Sequence, residues 1–216
     1  MANDHWPLFG LEIRTPRLTL RYLDDDLAME LVEVAANGVH DPAFMPFSIP
    51  WTDLPSPQLE QEAMRFYWRS RVDTTATSWR LLCAVIWEGQ VIGASDLFAT
   101  DFPKLRQFET GSWLGREFQG RGFGTEMRLA SLMLGFDGLG AELAITTAWL
   151  DNGPSLGVTR SLGYEPGERI RALRRGEPDE QQFFRMSRDH WDSIRPDGMT
   201  LHGVGLARSF LGVPFS

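Results

Sequence analysis

Apolar residues recur along this chain in two rhythms, and each change of rhythm marks an element boundary. Residues 18–23 alternate apolar with polar side chains, as a half-buried strand does. Asp24, Asp25 and Asp26 then supply N-cap chemistry for a predicted helix carrying Leu27, Leu31 and Val34 on one face. From 38 to 57 the chain holds Pro42, Pro46, Pro50, Trp51 and Pro55, which predicts a long loop of the functional or mobile kind. A second helix is expected from about Ser56-Pro57, with Leu59, Ala63 and Phe66 at helical spacing. Two strands follow, Trp79–Trp87 and residues 91–99, joined by a turn at Glu88-Gly89-Gln90.

A third strand, Gln107–Leu114, leads through Gly115-Arg116-Glu117-Phe118 into a glycine-rich segment. Residues 125–136 are mostly apolar after one turn, which predicts a buried helix. Leu143–Trp149 reads as a buried strand, followed by Asp151-Asn152-Gly153-Pro154-Ser155 and a short helix to Leu162. Residues 168–174 and 181–186 predict a closing hairpin, and 189–194 a last helical turn. Beyond Pro196 no period is visible. Leu201, Leu206, Phe210, Leu211 and Phe215 instead predict an extension, 196–216, packed on the 1–195 domain or on a partner subunit in a homo-oligomer.

Composition narrows the classes. A chain of 216 residues suits one domain, or a domain with an appendage. The net charge of −8 argues against nonspecific nucleic-acid binding and fits cationic substrates, although a solubilising surface is the commoner explanation. The single Cys83 lies in Leu81-Leu82-Cys83-Ala84-Val85, a core-strand setting where a thiol acts as a small hydrophobe. The four histidines are scattered without metal-ligand spacing, so no metal is expected. No basic leader with an apolar run and no membrane-length stretch occurs, which makes a cytoplasmic protein without a membrane partner the expectation.

The chemistry concentrates at Gln119-Gly120-Arg121-Gly122-Phe123-Gly124. Glycines at alternate positions let backbone approach a ligand closely, and the following helix start offers unpaired N–H groups to an anion. Arg116 and Arg121 add charge there, which indicates a phosphate or diphosphate. A mononucleotide loop would need a lysine–hydroxyl pair after the glycines, and none follows. A dinucleotide fingerprint would need a third glycine where Thr125 stands.

The spacing Gln-x-x-Gly-x-Gly resembles the coenzyme A pyrophosphate loop of the GNAT superfamily. With Gly111-Ser112-Trp113-Leu114-Gly115 before it and Thr125-Glu126 after it, it is similar to the central motif of RimJ/RimL-type N-acetyltransferases. Asn152-Gly153-Pro154-Ser155, Ser161-Leu162-Gly163-Tyr164 and the opening Thr15-Pro16-Arg17-Leu18-Thr19-Leu20-Arg21 resemble further elements of that branch. His5-Trp6-Pro7-Leu8-Phe9, Gly38-Val39-His40-Asp41-Pro42 and the long tail are similar to an actinobacterial subgroup in which succinyl-CoA has been considered as donor.

The resemblance implies an α/β (α+β) GNAT fold: a mixed, curved, mostly antiparallel sheet of about seven strands with splayed central strands and helices on both faces. It implies acetyl-CoA or succinyl-CoA as acyl donor, bound by Trp113, Leu114, Gln119, Gly120, Arg121, Gly122, Phe123, Gly124, Thr125, Asn152 and Ser155. The acceptor would be a small-molecule amine or a protein or peptide amino group. Such an amine must lose a proton before attack, and Glu109 is the candidate base, with a solvated strand carboxylate as its plain reading. Ser155 is the candidate acid for the departing thiolate, and Asn152 and Ser155 serve equally as helix caps. Tyr164 is a weaker acid, since its ring belongs in the core. His40, Asp41, Trp51 and Asp96 are candidates for acceptor binding or proton relay. A noncatalytic acyl-CoA sensor is the alternative from outside the enzymes.

Overall fold

Short strands with one apolar face and amphipathic helices can bury those faces only by layering. The computed structural model, which describes residues 5–213, shows how this chain does it. A 3-10 turn (Pro7–Gly10) leads into β1 (Glu12–Arg14) and β2 (Leu18–Tyr22). Asp24 caps α1 (Asp25–Ala36) by accepting from the Leu27 amide at 2.9 Å. After the long loop come α2 (Gln58–Val72), then the hairpin β3 (Trp79–Trp87) and β4 (Gln90–Ala99). One helical turn, α3 (Phe102–Leu105), precedes β5 (Gln107–Leu114), α4 (Phe123–Met133) and β6 (Leu143–Trp149). The chain continues through α5 (Gly153–Ser161), β7 (Glu165–Arg174), β8 (Glu177–Ser187) and α6 (Arg188–Ile194), and then β9 (Thr200–His202) and α7 (Val204–Phe210).

The nine strands form one sheet in the order β7-β8-β6-β5-β4-β3-β2-β1-β9. All neighbours are antiparallel except β5 and β6, which run parallel. Seven of the strands, β2 to β8, are those expected from the sequence; β1 and β9 are three-residue strands too short to show a period. The segment after Pro196 therefore adds β9 to the edge of the sheet, and Ala207 and Leu211 join the main core.

Strand alternation divides the buried side chains between the two faces. Leu81, Cys83, Val85, Leu97, Phe108 and Leu114 point to the α4 side and pack with Met127, Ala130 and Leu134. Leu82, Ala84 and Ala94 point the other way, into a smaller core with Leu27, Leu31, Ala63 and Tyr67 of α1 and α2. Phe66, expected on the buried face of α2, is 43% exposed, and Tyr67 is buried instead. Positions 66 and 67 lie at i+3 and i+4 from Ala63, so helical spacing alone permits either. The buried helix α4 starts at Phe123 and ends in a π-helical turn (Leu134–Gly138) that lets Gly135 lie directly against the Phe108 ring.

Gly93 of β4 is equally constrained, because a Cβ there would run into the Trp113 carbonyl and lie 2.8 Å from Leu114 Cα. Gly93→Ala should therefore push β5 outward. Chemical denaturation is expected to show a loss of about 1–3 kcal/mol, the usual scale of overpacking.

Candidate functional site

Strands β5 and β6 are hydrogen-bonded only over Gln107↔Leu143, Phe108↔Ala144 and Glu109↔Ile145. Both then continue, to Leu114 and Trp149, without pairing to each other. The gap opens into a cleft of about 850 Å³, walled by residues 109–114 on one side and 146–149 on the other. The Thr110 carbonyl accepts from Thr146 Oγ1 at 3.2 Å and the Leu114 carbonyl from Gln119 Nε2 at 2.9 Å. These alternate carbonyls point into the gap, and strand geometry turns the backbone of Ser112 the same way. The result is an unpaired strand edge inside a pocket, ready to pair with an extended ligand bearing amides.

At one end of the gap stands the glycine-rich turn. Gly120 and Gly122 have φ of +73° and +79°, which a side chain would strain. Gly122 is the N-cap of α4 and makes no side-chain cap, so the first amides of the helix face the cleft mouth uncapped. Gly120, Gly122, Gly124 and Thr125 line the cleft, as do Gln119 and Arg116. Across from them, Asn152 Oδ1 accepts from the Ser155 amide at 3.2 Å and caps α5, and both side chains also line the cleft. A helix start with fixed amides, glycines and Arg116 beside it is chemically suited to an anion.

Residues 17–165 match the family described as "Acetyltransferase (GNAT) domain", well over half of the chain. The chain belongs to the GNAT acetyltransferase family. Solved structures share its fold. A GCN5-related N-acetyltransferase from Brucella melitensis is 21% identical, with a TM-score of 0.69 over 89% of this chain and 87% of that one. RimL, a ribosomal L7/L12 alpha-N-protein acetyltransferase in complex with coenzyme A, is 14% identical, with a TM-score of 0.64 over 80% and 95%. The microcin C7 self-immunity acetyltransferase MccE, in complex with acetyl-CoA and AMP, is 17% identical, with a TM-score of 0.61 over 80% and 93%.

At the opposite end of this GNAT cleft, Glu109 occupies the last paired position before the strands part. Burial pushes its carboxyl above the usual range, partly offset by Arg80. Asp96 lies beneath the cleft lining rather than in it, bonded to Arg80 of β3. Its own burial, opposed by Arg80 and reinforced by Glu109, raises it to about 7. Arg80 also covers the Phe98 ring at 4.1 Å.

The remaining predicted residues divide. Trp113, Leu114, His40 and Asp41 line the cleft. His40 is engaged locally: Nε2 lies 2.6 Å from Thr52 Oγ1 and Nδ1 lies 2.8 Å from the Asp41 carbonyl. Trp51 stands behind the lining, 5.7 Å from Trp113 and 5.2 Å from Phe47. The Arg121 side chain turns away over Trp87 and Phe123, at 4.3 and 5.1 Å, and the Phe123 side chain is in the core, so these two offer backbone alone to the turn. Tyr164 is buried in the core with its hydroxyl unpartnered.

Two features escape a reading of the sequence. Thr15 Oγ1 and Arg17 bind Glu126 at 2.6 Å each, and Arg17 Nη1 donates to the Arg121 carbonyl at 3.1 Å, fastening the glycine turn to the start of β2. Arg128, a lone cation in the apolar run of α4, is only 5% exposed. It lines the cleft with its Nη1 unpartnered and makes no ion pair among the described residues.

Gln119 ties the two halves of the site together, since its Nε2 donates at 2.7 Å to the Val39 carbonyl as well as to Leu114. Gln119→Leu removes both bonds. It should lower stability by about 1–3 kcal/mol, and hydrogen exchange should show faster opening around Val39 than in the wild type.

Proposed function

We propose that this GNAT protein moves an acyl group, acetyl by default, from acyl-CoA to a primary amine by direct attack. The observation that carries the reading is the splayed β5–β6 gap, with a glycine-flanked helix start at one end and a half-buried carboxylate at its apex. The diphosphate lies on the amides after Gly120 and Gly122, and the pantetheine arm runs along the free edge of β5. Backbone dipoles of that edge then polarise the thioester carbonyl and stabilise the tetrahedral oxyanion. The motifs Gly111-Ser112-Trp113-Leu114-Gly115, Gln119 to Glu126 and Asn152-Gly153-Pro154-Ser155 support placement in the RimJ/RimL-type branch.

An alkylammonium has a pKa of about 10.4, so it must be deprotonated before its nitrogen can attack. Glu109 takes that proton, directly or through one water, and burial makes it a stronger base than an exposed carboxylate. The C–N bond forms, the C–S bond breaks, and the nitrogen sheds its second proton. One of the two protons returns to the sulfur through Ser155, and the other leaves to solvent. The products are an amide and coenzyme A.

The sign of the pH dependence follows. The base works ionised and its pKa is raised, so kcat/KM should climb through an acid limb centred above the ordinary glutamate range. Glu109→Gln is expected to abolish that limb and lower kcat about 100- to 10,000-fold. Ser155→Ala should cost less, because a thiol of pKa about 8.5 leaves readily as thiolate. Free thiol released on mixing acyl-CoA with amines measures both. Binding without turnover over a broad amine panel would replace the enzyme with a sensor.

A second donor reading rests on Arg128, a buried cation on the α4 side of the cleft whose Nη1 is unpartnered and which makes no ion pair among the described residues. An acyl group ending in a carboxylate, as in succinyl-CoA, would supply the missing anion. A charge-assisted bond of about 1.5–3 kcal/mol corresponds to roughly a 10- to 100-fold effect. On this reading Arg128→Met raises KM for succinyl-CoA by that factor and leaves acetyl-CoA unchanged. A wild-type preference for acetyl-CoA decides for the default.

A further inference from the structure

The side of the cleft away from α4 has its own composition. Alternation places Glu109, Gly111 and Trp113 of β5 on this side, with Thr147 and Trp149 of β6, while Thr110, Leu114 and Ala148 face α4. The 38–57 loop closes over it. Phe44 and Phe47 from that loop, Phe98 from β4, Trp113 and Trp149 put five aromatic rings on the lining. They are braced from behind. Trp51 packs between Phe47 and Trp113, and the Arg174 guanidinium lies 4.9 Å from the Trp149 ring and 5.8 Å from Phe44.

Charge at this side is sparse. Asp53 and Asp151 stand near the rim, but each is held bidentately: Asp53 by Arg175 at 2.6 and 2.7 Å, Asp151 by Arg174 at 2.8 Å twice. Hydrogen bonds from those arginines keep both carboxyls below the usual range. Asp179 also pairs with Arg174. Glu109 is left as the deep carboxylate, with the exposed Asp41 at the mouth; neither makes an ion pair among the described residues.

The same arginines close the roof. Arg174 donates to the Met45 carbonyl at 3.3 Å, Arg175 to the Pro42 carbonyl at 3.0 Å, and Gln181 Nε2 to Ser48 Oγ at 2.9 Å. The tip of the β7–β8 hairpin therefore straps the loop across the gap. A polyamine would need several free carboxylates along its length, and among the described residues the lining offers Glu109 and Asp41.

We propose that the acceptor is a small monoamine carried on an aromatic or similarly flat apolar body, its single ammonium directed to Glu109 and its body held between the rings. This rests on the acyl-transfer reading above and specifies its substrate. Aromatic walls give area with little loss of side-chain freedom, and flat rings pack edge-on or offset against them. One half-buried carboxylate recognises one cation.

Acceptor kinetics, lining variants and binding measurements test it. Acyl transfer from acetyl-CoA, and from succinyl-CoA in a second arm, is compared for 2-phenylethylamine, spermidine and a short peptide with a free N-terminus. The expected result is a kcat/KM at least tenfold higher for the arylalkylamine. Phe47→Ala should raise KM for that amine at least fivefold, whereas KM for the acyl-CoA stays put. Because Phe47→Ala also removes a packing contact of the loop, Phe98→Leu and saturable quenching of tryptophan fluorescence by the amine in the coenzyme A-loaded protein provide independent readouts. Preference for spermidine or the peptide overturns the acceptor assignment, as does an unchanged KM in both variants. Calorimetry with acetyl-CoA separates the levels. Donor binding with turnover of the wrong amine sinks the acceptor assignment alone, whereas no donor binding sinks the acyl-transfer reading and the acceptor with it.

Discussion

The parallel contact between β5 and β6 lasts only from Gln107 to Glu109, and the functional geometry of this chain is organised around the point where it stops. A strand that leaves its neighbour exposes amide groups that must find other partners or water. Here the loss is confined to one side of each strand. β5 stays bonded to β4 as far as Leu114, and β6 stays bonded to β8 over its whole length. The two halves of the sheet are thus complete in themselves, and the gap between them is a wedge with rigid walls.

A wedge of this kind needs bracing at its open end, where no strand pairing operates. Three sets of contacts supply it. Gln119 binds the carbonyls of Leu114 and Val39, joining the end of β5 to the loop after α1. Arg17 and Thr15 bind Glu126, holding the start of α4 to β2. On the far side Arg174 and Arg175 bind Asp151 and Asp53 and two loop carbonyls, so the roof is attached to the β6–β8 half. Exposed ion pairs of this sort are individually weak, but a bidentate network sharing its side chains loses less conformational freedom per bond. Among the described residues, the side-chain hydrogen bonds that reach the free edge of β5 are those of Thr146 and Gln119.

How much of this was legible in the sequence follows from what each feature depends on. Elements with a strong period were readable: β2 to β6, α1 and the buried α4 emerge from alternation and helical spacing. The glycine turn was readable as well, since positive φ at Gly120 and Gly122 leaves a mark in composition. β1 and β9 were not, because three residues carry no period. Phe66 against Tyr67 was ambiguous at helical spacing, and the structure decides it through packing on β3. The ties Thr15–Glu126 and Arg174–Asp151 join residues far apart in the chain, and nothing local distinguishes them from surface charges. Arg128 is the instructive case: a single cation in an apolar run reads as a solvent-facing residue until its burial is seen.

Buried charge is what links the two sides of the cleft. Taking an ion out of water costs several kcal/mol unless a partner restores the interaction. Elsewhere this fold provides that partner: Asp137 is held by Arg188 and Arg195, Glu126 by Arg17 and Asp96 by Arg80. At the cleft the pattern breaks. Glu109 on the aromatic side and Arg128 on the α4 side both line it, and neither makes an ion pair among the described residues. Were Arg128 merely a packing residue, a leucine or methionine would fill the same space without the desolvation penalty. Were Glu109 merely a strand carboxylate, the neighbouring Arg80 would be its natural partner, yet Arg80 is bonded to Asp96 instead. Charges of opposite sign, neither in an ion pair among the described residues, thus stand on opposite faces of one gap, and the proposed acceptor and the second donor reading each rest on one of them.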